Sequence, residues 1–147
     1  GGGPRRPFLE EKVDALGLRE CARFTGSLAD VRVPLALLDV FVFPVRWPEG
    51  FGLSLIEAMA AGRPVVATRA GAVPQILEHG RQGLLVEPKN PQALAEAVAT
   101  LLHDPAAAAR LGQAAQQRVR ERFSLERVVD EVEAVYREVT ASKSSSS

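Results

Sequence analysis

The chain has 147 residues, 46% hydrophobic and 24% charged, and its 18 basic and 18 acidic side chains give a formal net charge of zero. This length suits one domain with a buried core, and the balanced charge argues against nucleic acid as a partner. No apolar run approaches the roughly 20 residues that span a bilayer, and no signal segment follows the first arginines. The single cysteine, Cys21, indicates a reducing compartment and is interpreted as a core residue.

The amino-terminal part of the chain predicts a helix, a strand, a helical turn and a second strand. The run "FLEEKVDALGL" (8–18) has apolar residues at helical spacing and stops at Gly17. "ARFTG" (22–26) is predicted as a short strand and "VPLALL" (33–38) as one or two helical turns. "DVFVFP" (39–44) is a continuous apolar run, typical of a strand covered on both faces.

Two further runs of this kind alternate with helical segments in the middle of the chain. "PVVAT" (64–68) and "GLLV" (83–86) have the composition of buried strands. "GLSLIEAMAA" (52–61) and "VPQIL" (73–77) are predicted helices. The order of these elements predicts an α/β fold with a parallel sheet.

The carboxyl-terminal third is predicted to be entirely helical. A helix that opens with Asn90 as its N-cap is followed by helices over 105–123 and 124–139. The serine-rich residues 142–147 are predicted to form a disordered tail after one domain over 1–141.

The loop "VRWPEGFG" joins the strand at 39–44 to the helix that begins at about Gly52. Ligands of parallel α/β sheets bind at the carboxyl ends of strands, where this loop is expected. The first turn of a helix has free N–H groups and about half a positive charge. Because Gly50 and Gly52 let a ligand approach the backbone closely, the segment predicts an anion site, with phosphate as its natural ligand.

Two glutamates flank this segment, Glu49 in the loop and Glu57 within the helix. Glu57 shares a helix face with Leu53 and Ile56, so it is a carboxylate on a mostly apolar stripe. Such a carboxylate is costly unless something donates hydrogen bonds to it. A ribose diol and a buried arginine would each satisfy it, and the spacing alone leaves both alternatives open.

The runs "FVFPVRWPEGFGLSLIEAMAAGRPVVAT", "AGAVPQILEHGRQGLLVEP" and "NPQALAEAVATLL" resemble the donor-binding carboxyl-terminal domain of retaining glycosyltransferases of the GT-B fold (family 4-like, glycosyl transferases group 1). The likeness covers about residues 2–123 and centres on two glutamates with seven residues between them, Glu49 and Glu57. It implies a Rossmann-like parallel sheet with flanking helices. It also implies binding of a nucleoside-diphosphate sugar and transfer of the sugar with retention at the anomeric carbon.

The resemblance further implies a role for each matching residue. Glu49 would be the catalytic residue, beside the donor sugar, and Glu57 would accept hydrogen bonds from the ribose hydroxyls. Backbone groups around the helix start would contact the sugar and distal phosphate, and the loop after "RFTG" would hold the base. These two groups are Gly50, Phe51, Gly52, Leu53 and Ser54 for the sugar and phosphate, and Gly26, Ser27 and Leu28 for the base. The donor would be UDP-, GDP- or ADP-linked, with no cofactor and no metal required.

The chain departs from the family pattern at three positions. Val45 stands where serine is usual, which removes a hydroxyl near the site, and Ala72 and Gln75 stand where glycine and glutamate are usual. The likeness also implies that two central strands, which would lie between those at 22–26 and 39–44, are missing, together with an arginine–lysine pair that binds the diphosphate. A partner chain, a strand-swapped homodimer or a rearranged sheet is expected to cover the open edges.

Three hypotheses for the function follow. The chain is the donor half of a transferase, inactive without the amino-terminal domain that binds a sugar, glycan or lipid acceptor; a nucleotide-binding module; or a structural fragment. A structural fragment would tolerate alanine at Glu49 and Glu57. His79 and His103 are interpreted as surface residues, and no cysteine–histidine cluster has metal-binding spacing. The expected location is the cytoplasm, either free or at the inner face of the membrane.

Overall fold

The computed structural model describes residues 3–45 and 52–123. The chain divides into two compact units, Gly1–Val33 and Pro34–Ser147. The helix predicted over 124–139 and the predicted tail lie outside the described residues. The described elements, in chain order, are α1 (Arg6–Ala15), α2 (Arg32–Ala36), β1 (Phe41–Phe43), α3 (Leu53–Ala60), β2 (Val65–Thr68), α4 (Val73–Ile76), β3 (Leu84–Val86), α5 (Pro91–His103) and α6 (Pro105–Arg122).

The second unit contains a three-stranded parallel sheet in the order β1-β2-β3. Val42 of β1 pairs with Val66 of β2, and Val66 pairs with Leu84 of β3. All four residues of the central strand β2 are buried, as its uninterrupted apolar composition predicts. The predicted α/β architecture is therefore confirmed. Among the described strands, β1 pairs on one side only, so it is an edge strand.

The core of this unit joins the sheet to the carboxyl-terminal helices. Val66 packs in one buried cluster with Leu101 of α5 and with Ala108 and Leu111 of α6. Helix α3 buries an apolar set of its own and contacts β2 and α6. Helix α6 therefore packs on both α3 and α5, and it binds together helices that are far apart in the chain.

A close backbone approach fixes the contact between α6 and the turn after α3. A Cβ atom added to Gly112 would lie 2.3 Å from the carbonyl oxygen of Gly62 and 3.3 Å from the nitrogen of Pro64. No side chain fits in that space, so the α6 backbone rests directly on the turn. The amide of Gln116, one helical turn further along, donates a 2.9 Å hydrogen bond to the carbonyl of Ala60.

The two described carboxyl-terminal helices begin with side-chain caps, of which the one at Asn90 was predicted. Asn90 accepts a 3.0 Å hydrogen bond from the backbone N–H of Ala93, and Asp104 accepts one of 2.9 Å from that of Ala107. A proline follows each cap at the first helical position, where its missing N–H costs nothing. In the described ranges no helix is both long and apolar enough to cross a bilayer.

The first unit differs from two expectations. Residues 22–26, predicted as a strand, are not in a strand, because a strand needs a partner for its hydrogen bonds and no described residue supplies one. Cys21 is exposed, so its interpretation as a core residue is wrong. Its backbone N–H closes a turn onto Leu18, and no described residue of 3–33 is classed as buried.

Candidate functional site

The carboxyl end of the sheet is held together by one buried hydroxyl. Thr68, at the end of β2, is 5% exposed and donates a 2.6 Å hydrogen bond to the carbonyl of Val45, two residues past the end of β1. Its oxygen also lies 3.5 Å from the carbonyl oxygen of Phe43. The end of β2 therefore fixes the point from which the chain leaves β1 and enters the predicted binding loop.

Helix α3 begins beside this edge with its first turn facing outward. Gly52, at the N-cap, has φ 65° and ψ 45°, a left-handed conformation that favours glycine. A Cβ atom there would lie 3.4 Å from Cδ1 of Ile76 and 3.8 Å from Cε1 of Phe43. Leu53 is 64% exposed and Ser54 is exposed. Among the described residues, no side chain accepts a hydrogen bond at this helix start.

Glu57 lies one turn into α3 and is half-buried between the buried residues Ile56 and Ala58. The expectation of a mostly apolar, buried face around Glu57 is met only in part: Ile56 is buried, but Leu53 and Ala60, which lie one turn away on the same face, are exposed. Among residues 3–45 and 52–123, no cation forms an ion pair with Glu57. The alternative of a salt bridge to a buried arginine therefore gains no support from the described residues.

The remaining predicted residues fall in two other places. Glu49, Gly50 and Phe51 lie outside the described residues. The predicted base-binding residues belong to the first unit: Gly26 has φ 69°, Ser27 is exposed and Leu28 is 43% exposed. A Cβ atom on Gly26 would lie 3.6 Å from Nη1 of Arg6.

Sequence reasoning missed a polar network behind α4. The guanidinium of Arg118 on α6 contacts the carbonyls of Gln75 and Ile76 and the carboxylate of Glu78. Hydrogen bonds from Arg81 first, and then from Arg118, lower the pKa of Glu78 below its ordinary value of 4.5. One signal could have revealed this network: Arg118 continues the apolar stripe of Leu111 and Ala115 on α6, where a charge needs a partner.

Neither histidine lies at the candidate site. Nδ1 of His79 accepts a 2.9 Å hydrogen bond from the backbone N–H of Leu85, so this nitrogen carries no proton. Nδ1 of His103 lies 2.7 Å from the carbonyl oxygen of Ala99, which can only accept, so this nitrogen carries one. Both histidines are exposed, as predicted. In the part of the chain that the structure describes, no group of three or more potential ligands could hold a metal ion.

Two cavities lie at opposite ends of the sheet. One of about 340 Å³ opens at the carboxyl edge between Pro44, Thr68 and the start of α5. A larger one, of about 700 Å³, is lined by Asp39 and Pro64, which precede β1 and β2. The smaller cavity lies at the end of the sheet where ligands of such folds bind, but Gly52, Leu53, Ser54 and Glu57 do not line it.

Comparison with known proteins identifies the class to which this fold and site belong. The family model of glycosyl transferases group 1 matches residues 1–104, and the chain belongs to this family. A lipopolysaccharide core biosynthesis mannosyltransferase, LpcC, from Rhizobium leguminosarum bv. viciae is 38% identical over 128 residues, which are 87% of this chain and 36% of that protein. A GDP-mannose-dependent α-(1-6)-phosphatidylinositol monomannoside mannosyltransferase from Mycobacterium tuberculosis is 36% identical over 80% of this chain and 32% of its own length.

A solved structure agrees with this assignment. The Anabaena protein Alr3699/HepE, crystallised in complex with UDP and glucose, matches with a TM-score of 0.86 and 30% identity over 90% of this chain. The match covers 36% of the HepE chain. The fold is thus the Rossmann-like fold of a GT-B carboxyl-terminal domain, and the chain spans about a third of the length of these relatives.

Proposed function

We propose that the chain binds the nucleoside-diphosphate sugar of a retaining glycosyltransferase. The observation that carries the proposal is the pairing of the uncapped start of α3 with a half-buried Glu57 that has no ion-pair partner among the described residues. A diphosphate would occupy the positive helix end, and the ribose hydroxyls would donate to the carboxylate. Membership of the family and the UDP complex of HepE support this use of the site.

The proposed chemistry exchanges one bond at the anomeric carbon for another on the same face. The bond to the diphosphate oxygen breaks, the bond to an acceptor hydroxyl oxygen forms, and the hydroxyl proton would pass to the departing diphosphate, which takes the electron pair of the broken bond. Negative charge develops on the departing diphosphate, where N–H groups of Gly52, Leu53 and Ser54 would stabilise it. Glu49 would lie beside the sugar, with Gly50 and Phe51 completing the loop. Gly26, Ser27 and Leu28 would contact the base, and no metal would be required.

The nucleotide test uses melting temperature and calorimetry with UDP, GDP and ADP in turn. One nucleotide is expected to stabilise the chain by about 2.7 kcal/mol at one hundred times its dissociation constant. Glu57→Gln should weaken that binding by about ten- to one-hundredfold, since it removes a charged acceptor. Glu96→Gln, an exposed change on α5, is the matched control. Binding that is lost in a chelator would contradict the metal-free mechanism.

The same experiment separates the hypotheses. Nucleotide binding that Glu57→Gln does not weaken would exclude the proposed ribose contact. If no nucleotide binds, the site in this chain would not be a donor site, and a structural role would be favoured. If the donor binds and an acceptor sugar, glycan or lipid is glycosylated by the chain alone, the proposal that an amino-terminal acceptor domain is needed would be wrong.

The edge strand β1 supports the proposal that a second chain covers the sheet. Phe41 and Val42 are only half-buried there, and an open strand edge invites pairing with another strand. A homodimer or a strand-swapped assembly would satisfy this edge. Size-exclusion chromatography with light scattering is expected to give about twice the mass of the 15.8 kDa chain, whereas a monomer at all concentrations would contradict the proposal.

A further inference from the structure

Arg118, on helix α6, forms hydrogen bonds to three residues at and after the end of helix α4. Its Nε donates a 2.6 Å hydrogen bond to the carbonyl of Ile76, and its Nη2 donates one of 3.1 Å to that of Gln75. Its Nη1 donates one of 2.8 Å to Oε1 of Glu78. The side chain is only 13% exposed. All three guanidinium nitrogens therefore donate hydrogen bonds to residues at or just after the end of the short helix α4.

One residue that Arg118 holds, Ile76, also borders the start of α3. Ile76 is 2% exposed, and its Cδ1 lies 3.4 Å from the position that a Cβ on Gly52 would take. Gly52 is the left-handed N-cap that sets the direction of the first N–H groups of α3. A movement of the Ile76 backbone would therefore change the space beside Gly52 that its side chain borders.

We infer that Arg118 is a positioning residue for the donor site, acting through Ile76 on Gly52. The inference rests on the proposed function, because the start of α3 matters only if it holds the donor. The guanidinium fixes two carbonyls and one carboxylate at once, which a single ammonium cannot do. The α6 side chain thereby fixes α4, and α4 fixes the N–H groups that meet the diphosphate.

The coupling is tested first without any nucleotide. The ¹⁵N-labelled 147-residue chain is compared with Arg118→Met, Arg118→Lys and Arg120→Met by the amide resonance of Gly52. Arg120 is exposed on the same helix and has no described partner, so Arg120→Met is the matched control. We expect Arg118→Met to shift the Gly52 resonance, Arg118→Lys to shift it less, and Arg120→Met to leave it in place.

A second variant distinguishes transmission through Ile76 from a general loosening of the fold. Ile76→Val shortens the side chain that borders Gly52, while the backbone carbonyl that Arg118 binds remains. In this background, Arg118→Met is expected to shift the Gly52 resonance far less than in the wild type, which is non-additive behaviour. Equal shifts in both backgrounds would overturn the inference. If Arg118→Met does not fold, Arg118→Lys is judged by the same comparison.

The second measurement concerns the donor site itself. At a temperature where each variant is folded, Arg118→Met is expected to raise the dissociation constant for UDP, or for whichever of UDP, GDP and ADP binds, about tenfold. Arg120→Met should stay within about twofold. An unchanged dissociation constant in Arg118→Met would show a structural role only and overturn the inference. Failure of the wild type to bind any nucleotide would refute the proposed function, while the resonance of Gly52 would still decide the coupling.

Discussion

The hydroxyl of Thr68 donates its hydrogen bond to the backbone carbonyl of Val45, so the end of β2 holds the chain where it leaves β1. Val45 occupies a position where related sequences are expected to have serine. The contact uses the backbone of Val45 and not its side chain, so this departure from the pattern takes no atom away from it. The chain after β1 is therefore anchored through the backbone at position 45, while the buried side chain of Val45 belongs to the core.

Removing the hydroxyl of Thr68 should destabilise the fold and disturb the loop. Thr68→Val keeps the shape of the side chain but leaves the buried carbonyl of Val45 without its donor, at an expected cost of about 1–3 kcal/mol. Thr68→Ser retains the hydroxyl and is the matched control. Urea unfolding of the two variants measures the difference. A Thr68→Val variant as stable as the wild type, beside a destabilised Thr68→Ser, would show that the methyl group of Thr68 matters and its hydrogen bond does not.

Gly112→Ala should be strongly destabilising, although alanine is the better helix former by about 1 kcal/mol. The added Cβ would lie 2.3 Å from the carbonyl oxygen of Gly62, which forces α6 away from the turn. Overpacking of this kind costs about 1–3 kcal/mol or more. Gln113→Ala, its exposed neighbour, should change stability by less than about 0.5 kcal/mol. The unfolding midpoints of the two variants in a denaturant titration measure the difference. A stabilising effect of Gly112→Ala would contradict the close approach of Gly112 to the carbonyl of Gly62.

The cap of α6 should contribute a measurable share of stability. Asp104→Ala removes the acceptor for the N–H of Ala107 and should cost about 1 kcal/mol, while Asp104→Ser should cost less because serine also caps. Thermal unfolding at neutral pH tests both variants. If alanine and serine lower the melting temperature equally, the side-chain hydrogen bond of Asp104 does not stabilise the helix.

The lowered pKa of Glu78 predicts that the wild type and Glu78→Gln differ in melting temperature at neutral pH and not in acid. A carboxyl whose pKa is lowered in the folded state stabilises that state above its ordinary value of 4.5. This contribution is lost as the pH falls below 4.5 and through the lowered folded value. Glu78→Gln should therefore melt below the wild type at neutral pH and approach it in acid. Asp30, whose pKa Arg32 lowers to about 2, titrates in both proteins and cancels. A difference in melting temperature between the two proteins that stays constant from neutral to acid pH would contradict the prediction.

The parallel sheet and most helices could be predicted because their signals are local. The apolar runs that became β1, β2 and β3 are continuous, and Asn90 marks its helix start by its own side chain. The prediction of a strand at 22–26 was wrong because strand formation also depends on a non-local partner. Its composition suits a strand, but a strand also needs a neighbour, and no described residue provides one.

Part of the candidate site was predictable for the same reason. Gly52 marks the helix start directly, whereas the apolar stripe predicted around Glu57 is only partly present, because Leu53 and Ala60 are exposed. The contacts of Arg118 could not be predicted from the sequence, because they join residues 40 or more positions apart in the chain. The partners of Arg118 are Gln75, Ile76 and Glu78. Helical periodicity reports that a charge lies on an apolar stripe, but it does not report which distant carbonyls meet it.

The packing of α6 on both α3 and α5 has a consequence for synthesis of the chain. A ribosome releases β1, α3 and β2 well before Leu111 and Gly112, the residues that complete the core and rest on the turn after α3. Until α6 emerges, the nascent chain exposes the apolar surface that this helix covers. The second unit therefore closes only after α6 has emerged, and chaperones that bind apolar segments have most access to it before residue 111 leaves the exit tunnel.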